Sequence, residues 1–270
     1  MKPPKVKGLP FSGLLRCIAQ GPSGCGKTAW LTDTLIRLLG NCERIYVWSP
    51  SVFLDDAWKA VRDYSEKTLG VNQDREKTFF DTYNDRDLRD VIDLQVRVIQ
   101  QAKKMNLKQM PQIAIVVDDF ADDPSVLHAN NAIGLLFIRG RHAFINAFVG
   151  CQKLTLMSPV LRTQATNLAI WRVRNGKELQ AILEELSALY PAPIIKALYE
   201  RATEEPHSFL WVNLMAKKKE DMFWLRLDGG RLLVHELSES DNEPAWTSPR
   251  PSLQQPLPSR RPAHARRKPC

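Results

Sequence analysis

The sequence has no run of eighteen or more apolar residues, so no helix that crosses a membrane is expected. Its opening, MKPPKVKGLP, lacks the apolar stretch of a signal peptide, and the chain is expected inside a cell or inside a particle, with no membrane partner. Cysteine is scarce: Cys17, Cys25, Cys42, Cys151 and Cys270 form no CxxC pair, and no His stands at metal-ligand spacing from any of them. That argues against a zinc site and a disulfide framework, and for small buried thiols in a reducing compartment. No internal repeat is visible. Acid is missing from residues 244–270, which carry six positive charges and seven prolines.

The apolar share of 44% and charged share of 25% are those of a globular protein, and 270 residues suffice for one α/β domain with tails. The net charge of +8 is uneven: residues 1–10 carry +3 and 244–270 carry +6, which leaves −1 for everything between. The folded part is therefore nearly neutral. Basic tails suit nucleic acid; a solubilising or targeting tail is the alternative.

Hydrophobic periodicity divides the chain. Leu14–Gln20 reads as a buried strand and Lys27–Leu39 as a helix stopped by Gly40 and Asn41. Arg44–Ser49 is a second strand and Asp55–Leu69 a polar helix. Phe79–Tyr83 is ambiguous, and Asp85–Met105 is the longest helical pattern. Ile113–Val117 is wholly apolar and β-branched, as in a central parallel strand. A helix over Ala129–Ala143, strands at Phe144–Cys151 and Leu168–Val173, and helices at Lys177–Leu189 and Ala192–Glu204 follow. Phe209–Ala216, Met222–Leu227 and Arg231–Leu237 look like antiparallel strands, the last two turned by Asp228-Gly229-Gly230.

Strands alternating with helices predict an α/β fold with a central, mainly parallel sheet flanked by helices, plus C-terminal antiparallel strands. The expected division is a basic arm at 1–10, a core at 11–208, a β extension at 209–237 and a disordered, basic, Pro-rich tail at 238–270.

The chemistry concentrates at Gly21–Thr28, GPSGCGKT, a full match to G-x-x-x-x-G-K-[ST]. Gly21, Pro22, Ser23, Gly24, Cys25 and Gly26 would turn backbone N–H groups inward around phosphates. Lys27 would reach the β- and γ-phosphates of ATP, and the Thr28 hydroxyl would bind Mg²⁺. A strand precedes the loop and a helix follows, so the site also gains a helix N-terminus. That positive end lowers thiol pKa, which would make Cys25 oxidisable; a small residue tolerated in the loop is the other reading.

A second motif, IAIVVDD at Ile113–Asp119, delivers acid to the sheet edge. Asp118 would hold Mg²⁺, and Asp119 would polarise an attacking water, which favours hydrolysis over kinase chemistry. The alternative is that the pair caps the next helix, given Asp122, Asp123 and Pro124. Gln152, ending the strand Phe144–Cys151, is either a γ-phosphate sensor or a solvated side chain. Phe209, Trp211, Phe223 and Trp224 form a packed hairpin or a base-stacking platform. Lys217-Lys218-Lys219 is a solvated turn or a DNA-facing loop.

In combination, GPSGCGKT, RIYVWSP, IAIVVDDF, GRHAFINAFVGCQ and SPVLRTQATNLAIWRV resemble the FtsK/HerA-type DNA-packaging ATPases of poxvirus-like and other large double-stranded DNA viruses and of virus-like transposons. The likeness covers residues 11–175. It implies a P-loop NTPase that hydrolyses ATP in a hexameric or pentameric homo-oligomeric ring, drives double-stranded DNA into a capsid, and meets a capsid or portal protein. It implies a setting in a host nucleus, a cytoplasmic virus factory or the virion. It also implies that Asp118 is the metal-side acid and Gln152 the sensor. Asp119 stands where many relatives carry Glu, and its shorter reach alters the water geometry. Arg141 and Arg162 are the arginines of the pattern, either of which would be a finger to the neighbouring subunit or a plain ion-paired arginine; His142 reads as structural. A nucleotide-gated DNA-binding scaffold and a P-loop nucleotide kinase are the competing functions.

Overall fold

The computed structural model describes residues 13–38, 42–120, 126 and 131–227. The basic arm, the tail, the stop at Gly40 and Asn41, the acids at 122–123, Cys270 and the strand expected over 231–237 with its Asp228-Gly229-Gly230 turn lie outside the described residues.

Among the described residues, eight strands form one sheet. In chain order they are β1 (Arg16–Gln20), β2 (Arg44–Trp48), β3 (Phe79–Phe80), β4 (Ile113–Val117), β5 (Ile145–Cys151), β6 (Asn167–Trp171), β7 (Phe209–Asn213) and β8 (Phe223–Leu225). Their spatial order is β3-β2-β4-β5-β1-β6-β7-β8. The first six are mutually parallel where they pair, and β7 and β8 run antiparallel at one side, as the sequence pattern predicts. The ambiguous segment at 79–83 contributes a two-residue edge strand.

Among the described residues, seven α-helices cover the sheet: α1 (Lys27–Leu38), α2 (Asp56–Lys67), α3 (Asp85–Lys104), α4 (Ala132–Arg139), α5 (Pro159–Gln164), α6 (Gly176–Leu186) and α7 (Ala192–Ala202). Strand alternation sorts the core onto two faces. Ile115, Ala147 and Val149 face Leu88 and Ile92 of α3 and Leu136 of α4. Val116 and Phe148 face Leu31 and Leu35 of α1 and Trp58 of α2.

Helix ends follow their local chemistry. Asn84 accepts a bond from Arg86 N at 2.9 Å, Asp85 and Asp87 occupy the first turn of α3, and Lys103 and Lys104 its last. No helix is expected at 159–164, yet Ser158 caps α5 with Pro159 in its first turn, a signal present in the sequence. The helix expected over 129–143 is α4 followed by a 3-10 turn at Gly140–Ala143, because Phe144 adopts a left-handed conformation with φ 58° and β5 starts only at Ile145.

The aromatic pattern of the terminal strands resolves in favour of packing. Phe209, Trp211 and Phe223 are buried, and Trp30 of α1 meets Phe209 edge-on at 5.6 Å. Those three rings cannot stack on bases.

Candidate active site

A parallel sheet puts the C-terminal ends of its strands on one edge, and that edge collects the motif residues. The loop after β1 is strapped to β5 by Gly21 N donating to Cys151 O at 3.1 Å. It then turns through Gly24 at φ 76° and Gly26 at φ 99°, conformations that favour glycine. Gly21 is glycine for a different reason: a Cβ there would lie 2.7 Å from Cys25 Sγ and 2.8 Å from Trp171 Cβ. α1 begins at Lys27, so its first N–H groups border the loop.

Lys27 is buried, donates to Gly21 O at 3.0 Å and lies 3.7 Å from Asp119 Oδ1. That last separation is an ion pair too long for a hydrogen bond. Thr28 Oγ1 donates to Asp118 Oδ2 at 3.3 Å. Asp118 is fully buried and its Oδ1 has no hydrogen-bond partner. Burial, and then the neighbouring Asp119, push its carboxyl up to about 7, against the pull of Lys27 and Thr28. Asp119 is left-handed with φ 59°, a conformation that Asp tolerates better than most residues. Neither acid caps a described helix, since the next one, α4, begins at Ala132 behind Asn131.

Gln152 follows β5, between the β4 and β1 ends, and its carbonyl accepts from Gln20 Nε2 at 3.4 Å. The structure thus gathers Lys27, Thr28, Asp118, Asp119 and Gln152 on one edge. It keeps the two candidate arginines apart from them. Arg162, on α5, is three-quarters buried in an ion pair with Glu185. Arg141 precedes β5, at the opposite edge of the sheet, with Nε 3.2 Å from His142 Nε2. The seven residues of β5 put it roughly 23 Å from the motif edge.

Of the two readings of Cys25, the structure favours the small residue tolerated in the loop over the oxidisable thiol. Burial raises its thiol and outweighs the opposing effects of Lys27 and backbone N–H groups. Cys42 and Cys151 are pushed up to about 12 by burial. All four described cysteines are free.

Three residues to which the sequence pattern assigns no role also meet the loop. Arg174 Nη2 donates to Ser23 O at 3.5 Å, His207 Nδ1 lies 3.3 Å from Cys25 O, and Trp171 packs on Gly21. The loop is separated from each by about 150 residues or more of chain, and no local pattern announces such contacts. Lys217, Lys218 and Lys219 are exposed in the turn after β7, which ends beside the first residue of β6 and so on the opposite edge.

No protein-family model and no curated protein sequence matches the chain. Among solved structures, the genome packaging NTPase B204 from Sulfolobus turreted icosahedral virus 2, in complex with AMP, matches with a TM-score of 0.50 at 16% identity, over 77% of this chain and 96% of that one. B204 described as the DNA-packaging ATPase from Sulfolobus turreted icosahedral virus matches with a TM-score of 0.47 at 17% identity, over 77% and 94%. The pCW3 conjugation coupling protein TcpA, with ATPγS, gives 0.47 at 14% identity, over 85% and 66%. The first of these carries the fold: an α/β P-loop NTPase domain with a mainly parallel sheet.

Proposed function

We propose that the chain is an ATP-hydrolysing DNA translocase that packages a viral or virus-like genome. The observation that carries this reading is the pairing of both acids with the loop: Asp118 beside Thr28 at 3.3 Å and Asp119 beside Lys27 at 3.7 Å. The fold likeness to a genome packaging NTPase supports the choice of DNA as the cargo.

The residues fit Mg²⁺. No cluster of three or more His, Cys, Asp or Glu occurs among the described residues, but Mg²⁺ beside a nucleotide needs only one or two protein oxygens, the rest coming from phosphates and water. Thr28 Oγ1 and the orphaned Asp118 Oδ1 are such oxygens. Mg²⁺ held there supplies charge neutralisation on the transferred phosphoryl group. The loop amides and Lys27 would bind the phosphates. With Lys27 drawn to them, Asp119 would be released to orient and deprotonate a water in line with the γ-phosphate. Gln152, one strand away, would sense that phosphate.

On this reading, copies of the chain form a ring around double-stranded DNA and dock on a capsid or portal protein, in a host nucleus, a virus factory or the virion. An arginine, Arg141 or Arg162, would reach the next subunit's γ-phosphate. Phosphate release by the purified chain, with and without double-stranded DNA, tests the proposal. Stimulation by DNA is expected. Tight ATP binding without turnover would make it a nucleotide-gated scaffold instead, and phosphate transfer to a nucleotide acceptor would make it a kinase.

A further inference from the structure

The segment that presents Gln152 is anchored by a residue far along the chain. Gln152 leaves β5, and a 3-10 turn at Leu154–Leu156 follows almost at once, preceded by Lys153, whose side chain makes no capping bond. The first amide of such a turn has no partner within the turn. Here Leu154 N donates to Glu178 Oε1, on α6, 24 residues further on. Thr155 Oγ1 donates to Glu178 Oε2 at 3.1 Å. One carboxylate therefore caps the turn from another helix and uses both of its oxygens to do so.

Glu178 is only 5% exposed and pairs with no cation among the described residues. A buried carboxylate is costly unless hydrogen-bonded, and an apolar side chain would fill the same space at less cost. The carboxylate is also held firmly. It stands in the first turn of α6, whose positive end favours it. Glu178 N donates to Asn175 Oδ1 at 2.7 Å, and Val173 N donates to the hydroxyl of buried Tyr199 at 2.7 Å, which ties the β6–α6 connection to α7. Its charge reaches the motif edge. Burial raises the thiol of Cys151, the residue before Gln152; Lys27 opposes that rise, and Glu178, Asp118 and Asp119 add to it.

We infer that Glu178 is a positioning residue for hydrolysis, clamping the turn after β5 so that Gln152 is held where a γ-phosphate would lie. The inference rests on the reading of Gln152 as the γ-phosphate sensor. Both side-chain bonds of Glu178 go to the turn and neither to the phosphate loop, so its loss should act on turnover and spare ATP binding.

The test measures kcat for phosphate release, ATP affinity and melting temperature in the full-length protein. Glu178→Ala is expected to lower kcat by up to about a hundredfold, the cost of a small misplacement of a reacting group, with ATP affinity unchanged. Glu178→Gln is expected to restore most of the rate, because its Oε1 can accept from Leu154 N while its Nε2 donates to Thr155 Oγ1. Thr155 is exposed, so Thr155→Val removes one of the two bonds without disturbing the core, and a smaller fall in kcat is expected. That variant carries the test if Glu178→Ala does not fold. Added to Gln152→Ala, Glu178→Ala is expected to cause no further loss, whereas independent effects would multiply.

ATP affinity falling in step with kcat, a Glu178→Gln protein as slow as Glu178→Ala, an unchanged rate in Thr155→Val, or multiplied losses in the double variant would each overturn the inference. Full turnover in Gln152→Ala would overturn it together with the sensor reading, and would leave ATP hydrolysis standing. A wild-type protein that binds ATP without turnover overturns the hydrolytic reading itself, and this inference with it.

Discussion

Gly150 on β5 faces the Asp118 carboxylate so closely that a Cβ at position 150 would lie 2.9 Å from Asp118 Cγ and nearer still to Oδ1. The acid owes its place to a missing side chain on the neighbouring strand. Gly150→Ala is therefore expected to push Asp118 away from Thr28. Overpacking costs about 1–3 kcal/mol, and a small displacement of a catalytic group costs about a hundredfold in rate. Phosphate release and thermal denaturation of the variant check both numbers. A variant with full activity would mean that Asp118 has no fixed role.

Asp119 and Lys27 should separate binding from turnover. Asp119→Asn keeps the shape and removes the base, so ATP affinity should survive while phosphate release falls about 10²–10⁴-fold. Lys27→Ala should lose affinity as well. Isothermal titration beside a phosphate assay distinguishes them, and full turnover in Asp119→Asn would refute the assignment.

A pH dependence follows from Asp118. Its carboxyl is pushed up to about 7 in the fold by burial first and Asp119 second. An unfolded aspartate titrates near 3.9, so between about pH 4 and pH 7 the folded state holds a proton that the unfolded chain has released. Stability of the nucleotide-free protein should fall as pH rises through that window, by up to the order of 4 kcal/mol, and stay low above it. Asp118→Asn should remove that loss and be the more stable protein at about pH 8, with little difference at about pH 4. Urea denaturation across the window measures this, and parallel curves for the two proteins would contradict it.

The two candidate arginines differ in what else they do. Arg162 is engaged with Glu185 inside its own subunit, whereas Arg141 is exposed. Arg162→Ala should lower the melting temperature; Arg141→Ala should not. A finger acting across subunits is worth about 10³–10⁵ in rate, so specific activity should rise with protein concentration and collapse in whichever variant removes the finger. Activity independent of concentration, in the presence of DNA, would count against a ring.

The last prediction concerns residues 244–270, with six positive charges and no acid. Each phosphate neutralised adds about 0.9 to the slope of log affinity against log salt. Deleting the segment should weaken DNA binding and flatten that slope by several units, with ATP affinity unchanged. A DNA titration at four salt concentrations reads the slope directly. An unchanged slope would assign the segment to docking or localisation.

What could be read from sequence was what is local. The phosphate loop announces itself in eight consecutive residues, and the apolar run ending in Asp118-Asp119 marks a strand and its acid together. Most elements lie within two or three residues of their expected bounds. Contacts made through the sheet were invisible beforehand: Gly150 against Asp118, Trp171 against Gly21, His207 against Cys25. Nothing near Gly150 says which carboxylate will lie opposite until the β4–β5 register is known. Position alone left two readings of Cys25 open, because helix-end charge is legible in the sequence while desolvation, which raises the thiol here, depends on what packs above it.

One asymmetry of the sheet reaches beyond the single chain. The phosphate loop, both acids and Gln152 crowd one edge, while Arg141 and the Lys217–Lys219 turn occupy the other. The chain therefore has a head and a foot. Identical copies related by rotation about one axis all point the same way. Any closed ring built from them has a front that differs chemically from its back. Such a ring cannot be turned over without becoming a different object to whatever passes through it. A sense of travel along DNA would be built into the fold before any partner joined.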